Sequence, residues 1–195
     1  MKDKTVCVVG LGYVGLPLAN AFSKHLKVIG FDIDEEKIRN LGNNNNTKEN
    51  LEFTFTSDPP KIKQADFVLI CVPTPVTKSK EPDLSFVKSA AEIVGRNLKK
   101  GAIVVLESTI YPGVTEEVVA PILDLKNKSG LKCGADFKIG YSPERINPGD
   151  EAHTLDKITK IVAGMDEETT EILAELYGLI TNVYKAKDIK TAEAA

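Results

Sequence analysis

Little in this 195-residue chain invites a metal, a membrane or a nucleic acid. It has two histidines, His25 and His153, well separated and each read as a surface residue, not a ligand or base. Its three cysteines, Cys7, Cys71 and Cys133, lack paired metal-type spacing. Two lie in apolar strand-like runs and one in a polar loop, the pattern of reduced thiols. No disulfide framework or metal centre is expected, and the expected location is cytoplasmic. No apolar run approaches the ~20 residues of a membrane span. The first strand-like run starts too early to leave room for a signal peptide. A net charge of −3, with lysines and acids mixed along the chain, offers no basic face to nucleic acid or anionic lipid. Internal repeats and a long linker are also absent, so no second complete domain is expected.

What is present is an ordinary globular composition, with hydrophobic content of 42%, enough for one domain of the larger size or one plus a fragment. Strand-like and helix-like patterns alternate. Strands are predicted at 5–10, 27–32, 52–56, 66–72, 102–107, 136–141, 159–164 and 181–184. Helices are predicted at 14–25, 35–41, 84–98, 114–126, 167–179 and 188–195. Such alternation argues for an α/β fold, a Rossmann-like doubly wound and mostly parallel sheet with helices on both faces. The run Phe67–Val72 is apolar throughout, as a strand covered on both faces should be. The tract Gly42–Asn46 reads as a surface loop, since asparagine competes with regular backbone hydrogen bonding.

The most specific feature is Val9-Gly10-Leu-Gly12-Tyr13-Val14-Gly15, a G-x-G-x-x-G between a strand and a helix. Gly10 permits the tight turn, Gly12 lets backbone approach a pyrophosphate, and Gly15 lets helix and strand pack closely. The helix N-terminus then faces the phosphates. About 20 residues on, a second strand ends at Asp32, where a ribose 2′-hydroxyl needs an acceptor and a 2′-phosphate would be repelled. That favours NAD over NADP. The plainer alternative is that Asp32 only caps the next turn, although Asp34 is the better cap, with Glu35 and Glu36 in the first helical turn.

Three further segments fall where strands end. Val72-Pro73-Thr74-Pro75 is a rigid turn whose Thr74 hydroxyl is placed for a cofactor, or simply a stiff turn. Glu107-Ser108-Thr109-Ile-Tyr-Pro112-Gly113 is a polar strand end leading into a helix. Tyr141-Ser142-Pro143-Glu144-Arg145 sets a carboxylate beside a guanidinium, for phosphate or carboxylate contact or as a structural ion pair.

In order and spacing, GLGYVGLPLA, FDID, VPTP, PDL, ESTIYPG and YSPERINPGD resemble the nucleotide-sugar 6-dehydrogenase family, most closely its branch for UDP-N-acetylhexosamines of capsule and O-antigen synthesis. The family oxidises a UDP-sugar C6 alcohol to the uronate with two molecules of NAD. The resemblance implies that Gly10, Gly12, Tyr13, Val14 and Gly15 hold the pyrophosphate, and that Asp32 and Lys37 meet the adenosine ribose. It implies that Pro73, Thr74 and Thr109 lie against the cofactor. Thr109 would also order a catalytic water, Glu144 would assist thioester hydrolysis as a base, and Glu144 and Arg145 would meet the substrate.

There are departures. Some relatives carry a second glutamate where this chain has Pro148, and the asparagine tract replaces a longer insertion. The family's nucleophilic cysteine and catalytic lysine have no counterpart here, and buried Cys7 and Cys71 are poor substitutes. The expectation is therefore an NAD-binding domain over 1–187, with 188–195 starting the central helix through which the family forms homodimers. This chain alone is then expected to be inactive. Two rivals remain: a β-hydroxyacid-type dehydrogenase domain and a stand-alone, non-catalytic NAD-binding module.

Overall fold

The computed structural model describes residues 1–44, 53–77, 81–126, 130–144 and 158–195. All eight expected strands form: β1 (Thr5–Val9), β2 (Lys27–Phe31), β3 (Phe53–Thr56), β4 (Phe67–Ile70), β5 (Ile103–Leu106), β6 (Lys138–Tyr141), β7 (Thr159–Gly164) and β8 (Asn182–Lys185). They make one sheet in the order β3-β2-β1-β4-β5-β6-β7-β8. Neighbours are parallel except β6 and β7, which pair antiparallel through Gly140–Gly164 and Tyr141–Ala163. The first six strands thus follow the doubly wound order, with the reversal of direction between β1 and β4.

Side-chain alternation sorts two cores onto the two faces. Val6, Val8, Phe67, Leu69, Ile103, Val105 and Val162 face one way, against α1 (Gly15–Phe22) and α5 (Glu167–Tyr177). Cys7, Val9, Val68, Ile70, Val104, Leu106 and Ile139 face the other, against α3 (Ser85–Arg96) and α4 (Ala120–Lys126). That every residue of β4 is buried follows from cover on both sides.

Two expectations about helices change. The helix after β2, α2, runs Glu35–Asn44, so Gly42, Asn43 and Asn44 are helical rather than loop; Asn45 and Asn46 lie outside the described residues. Ile38 and Leu41 pack one face of α2 against the core, and that packing outweighs the modest helix preference of asparagine. The segment expected as a helix from 114 opens with a wider π turn, Thr115–Val119, before α4. A 3₁₀ turn at Pro59–Gln64, absent from the sequence reading, leads into β4. Asp34 caps as expected, accepting from the Lys37 amide at 3.0 Å, and Asp188 accepts from the Thr191 amide at 2.7 Å to start α6 (Ile189–Glu193). α6 buries Ile189 and Ala192 against the sheet.

Candidate active site

A cleft of about 550 Å³ opens at the carboxyl ends of β1, β2 and β4, where the sheet order reverses. Gly10, Gly12, Tyr13, Asp32, Lys37 and Pro73 all line it. The glycines divide their tasks sterically. Gly10 has φ of +95°, and a Cβ there would lie 2.9 Å from the Cys71 carbonyl oxygen. A Cβ on Gly15 would fall 1.9 Å from the Gly10 carbonyl oxygen, so close helix–strand contact requires its absence. Around Gly12 nothing lies within 4 Å, which leaves main chain open to a ligand. Tyr13 is 82% exposed beside it, and half-buried Val14 occupies the cap position of α1.

Asp32 is buried at the end of β2 and engaged on both oxygens. Oδ2 accepts from the Leu11 amide at 2.9 Å and from Lys37 Nζ at 2.7 Å, while Oδ1 accepts from the Asp34 amide at 3.0 Å. It therefore braces the next turn and also latches the glycine loop. A carboxylate offers about four acceptor sites, so capacity remains for a ribose hydroxyl. Burial alone would raise the carboxyl, but the Lys37 hydrogen bond and the two amides outweigh it and hold it below the usual carboxylate range. Asp32 is thus an anion facing the cleft at neutral pH. The open approach at Gly12, the turn at Gly10 and this carboxylate fit a dinucleotide with a free 2′-hydroxyl.

The loops after β4, β5 and β6 are stitched together beside the cleft. The Ser108 hydroxyl donates to the Val72 carbonyl at 2.6 Å, and the Tyr141 hydroxyl donates to the Ser108 carbonyl at 3.4 Å. This brings half-buried Thr74, exposed Thr109 and Glu144, whose side chain is nearly buried, to one edge of the sheet. Glu193 braces the same edge from α6, its carboxylate accepting from the Gly113 and Thr115 amides at the helical turn that follows Thr109. Arg145 lies outside the described residues.

The sequence reading missed a buried charge cluster behind Glu144. Lys160 is fully buried, hydrogen-bonds the Glu107 carboxylate and the Pro143 carbonyl, and lies 3.7 Å from Glu144 Oε2. Tyr177 donates its hydroxyl to Glu107. The signal was available: Lys160 alternates with Val162, and Glu107 with Val105 and Ile103, so period-two counting puts both charges on a core face.

The thiols are poor nucleophiles. Burial pushes Cys7 up, and burial with the nearby Glu107 charge pushes Cys71 well up. Half-buried Cys133 is pushed up to about 11 by burial and Asp124. Among the described residues no group of His, Cys, Asp and Glu is arranged to hold a metal ion, and no helix is long and apolar enough to cross a membrane.

Comparison with known proteins agrees with this geometry. Residues 4–181 match the NAD binding domain of the UDP-glucose/GDP-mannose dehydrogenase family. The chain is 48% identical to Protein CapL of Staphylococcus aureus, over 99% of this chain and 47% of that protein. It is 46% identical to the UDP-N-acetyl-D-glucosamine 6-dehydrogenase of Salmonella typhi, over 100% of this chain and 48% of the relative. Among solved structures, an NDP-N-acetyl-D-galactosaminuronic acid dehydrogenase from Methanosarcina mazei Go1 superposes with a TM-score of 0.88 at 32% identity, over 98% of this chain and 46% of that one. The chain thus spans about half the length of the curated relatives it matches. With the glycine loop, the Asp32 latch and the sheet order in agreement with that match, the chain belongs to the UDP-glucose/GDP-mannose dehydrogenase family, of which it carries the NAD-binding domain.

Proposed function

We propose that this domain serves an NAD-dependent UDP-N-acetylhexosamine 6-dehydrogenase of surface-polysaccharide synthesis, a homodimeric cytoplasmic enzyme that converts the sugar C6 alcohol to the uronate. What supports this reading is that the loops bearing Thr109 and Glu144 follow β5 and β6 on the same side of the sheet as the dinucleotide cleft, in a chain 46% identical over its own length to a UDP-N-acetyl-D-glucosamine 6-dehydrogenase of which it covers 48%. Residues 1–187 form the cofactor-binding unit, and 188–195 begin the helix that leads toward the substrate-binding half.

In this reading Asp32 and Lys37 hold the adenosine ribose. Gly10, Gly12, Tyr13, Val14 and Gly15 shape the pyrophosphate seat at the start of α1, and Pro73 and Thr74 wall the nicotinamide half. NAD supplies the oxidising capacity. Thr109 orients a water by its hydroxyl, and Glu144 takes the proton from that water as it attacks the thioester carbon, breaking the C–S bond and releasing the thiolate and the uronate. Arg145 contributes a charge for the substrate. In the family this chain resembles, the thiolate that adds to the C6 aldehyde, before a second oxidation by NAD gives the thioester, comes from a later segment; the three thiols here are pushed up by burial and are poor substitutes.

The test is to express the complete reading frame and follow NADH formation with UDP-N-acetylglucosamine, its manno and galacto epimers, and UDP-glucose. Turnover of one N-acetylhexosamine is expected, with Thr109→Ala and Glu144→Gln each losing it while still binding NAD. The 195-residue chain alone should produce no NADH. Turnover by the chain alone that disappears in Cys71→Ser would overturn the division of labour. A reading frame ending at residue 195 would favour the non-catalytic module.

A further inference from the structure

β7 carries a lysine at a register position that an apolar side chain ordinarily fills. Lys160 shares the α5 face with Val162 and is fully buried. Among the described residues, four titratable groups from four elements act on it: Glu107 after β5, Glu144 after β6, Tyr177 of α5 and Cys71 after β4. Its ammonium has three protons to donate. It hydrogen-bonds the Glu107 carboxylate and the Pro143 carbonyl, the latter at 3.1 Å, and Glu144 Oε2 lies 3.7 Å away. Tyr177 holds Glu107 through its hydroxyl and sets its ring 5.7 Å from the Lys160 nitrogen.

A lone buried ammonium costs several kcal/mol, so it persists only with partners. Glu107 alone would neutralise it. The contacts to Pro143 and Glu144 go beyond neutralisation, and both belong to the turn that presents Glu144. We propose that Lys160 is a positioning residue of the site, the buried cation that fixes the Ser142–Glu144 turn and orients the Glu144 carboxylate, with Glu107 and Tyr177 anchoring it from behind. The proposal rests on the reading of Glu144 given above. Burial would strip the proton from Lys160, but the Glu107 and Glu144 charges outweigh it and move the ammonium above the ordinary lysine range.

The test uses the chain as it stands, by NMR of the lysine side-chain ammonium and of the Pro143 carbonyl carbon. In the unmodified chain the Lys160 ammonium signal should persist to a higher pH than those of exposed lysines. Glu144→Gln should lower the pH at which Lys160 loses its proton and displace the Pro143 signal. Lys160→Met should displace the Pro143 signal too, and Lys160→Arg should restore it. An ammonium absent at neutral pH would overturn the proposal, and so would a Glu144→Gln chain with unchanged Lys160 titration and Pro143 signal. These readouts survive if Lys160→Met fails to fold. They involve no sugar or turnover, so a fully active Glu144→Gln complete enzyme would sink the catalytic reading alone, whereas unchanged spectra would sink the clamp alone.

Discussion

Two stretches of one sheet edge are built on opposite terms. At the ends of β1 and β2 the protein recognises a ligand by leaving atoms out: space at Gly12, a turn only glycine makes easily at Gly10, and one latched carboxylate. At the ends of β5 and β6 and the start of antiparallel β7 it packs charge into the interior and satisfies it, with Lys160 among Glu107, Glu144 and Tyr177. The first region is open, with free space around Gly12 and an exposed Tyr13 beside it. The second is closed, and every group in it depends on another. Substitutions should therefore separate binding from stability along a single edge.

The largest separation is expected from Lys160→Met. Removing one partner of a buried pair leaves an uncompensated charge and typically costs about 3–5 kcal/mol. Urea unfolding should show this loss, and a cost below about 1 kcal/mol would place the stabilising contacts elsewhere. Gly12→Val should do the reverse. With open space around Gly12, stability should stay within about 0.5 kcal/mol while NAD binding weakens by roughly a hundredfold or more, about 2.8 kcal/mol. Gly15→Ala is the internal control, because its Cβ meets main chain; it should cost about 1–3 kcal/mol of stability. Equal stability effects at the two glycines would end the contrast.

Asp32→Ala comes next. Calorimetry should show roughly a tenfold loss of NAD affinity, about 1.4 kcal/mol, with no comparable loss for NADP. Equal affinities of the unmodified chain for the two cofactors would remove Asp32 as the discriminator.

The smallest effect belongs to a site outside both regions. Asp166 caps α5 through the Thr169 amide at 2.8 Å and pairs with Lys138 at 2.7 Å. Lys138 and Thr169 draw its carboxyl down to about 2. Because that lies below the unfolded value of about 3.9, its contribution is complete above about pH 4 and is lost as pH falls through 2. Asp166→Ala should cost about 1 kcal/mol at neutral pH. The cost should vanish in acid denaturation curves taken near the lower end of that window.

The strands were legible because period and composition are local: β4 is apolar on both faces, and β1 and β2 end in residues with evident tasks. The open half of the edge was legible for the same reason, since its function lies in three closely spaced glycines and one carboxylate. The closed half was not. Glu107, Lys160 and Tyr177 are separated by 53 and 70 positions from their partners, and only the sheet brings them together. Parity of Lys160 with Val162 marks it as inward-facing, but parity does not name the residue it meets. The helical course of Gly42–Asn44 escaped because packing by Ile38 and Leu41 is a tertiary effect that overrides local propensity.

The Glu193 brace adds a clock. Gly113 waits for a carboxylate 80 positions later in the chain. Contacts of such separation form late, after loop-closure entropy has been overcome. On a ribosome moving at about 5–20 residues per second, Glu193 is synthesised roughly 4–16 s after Gly113. The glycine loop and Asp32, by contrast, can find each other within the first βαβ unit. The contact between the glycine loop and Asp32 can therefore form early, whereas the turn that follows Thr109 is braced only when α6 docks.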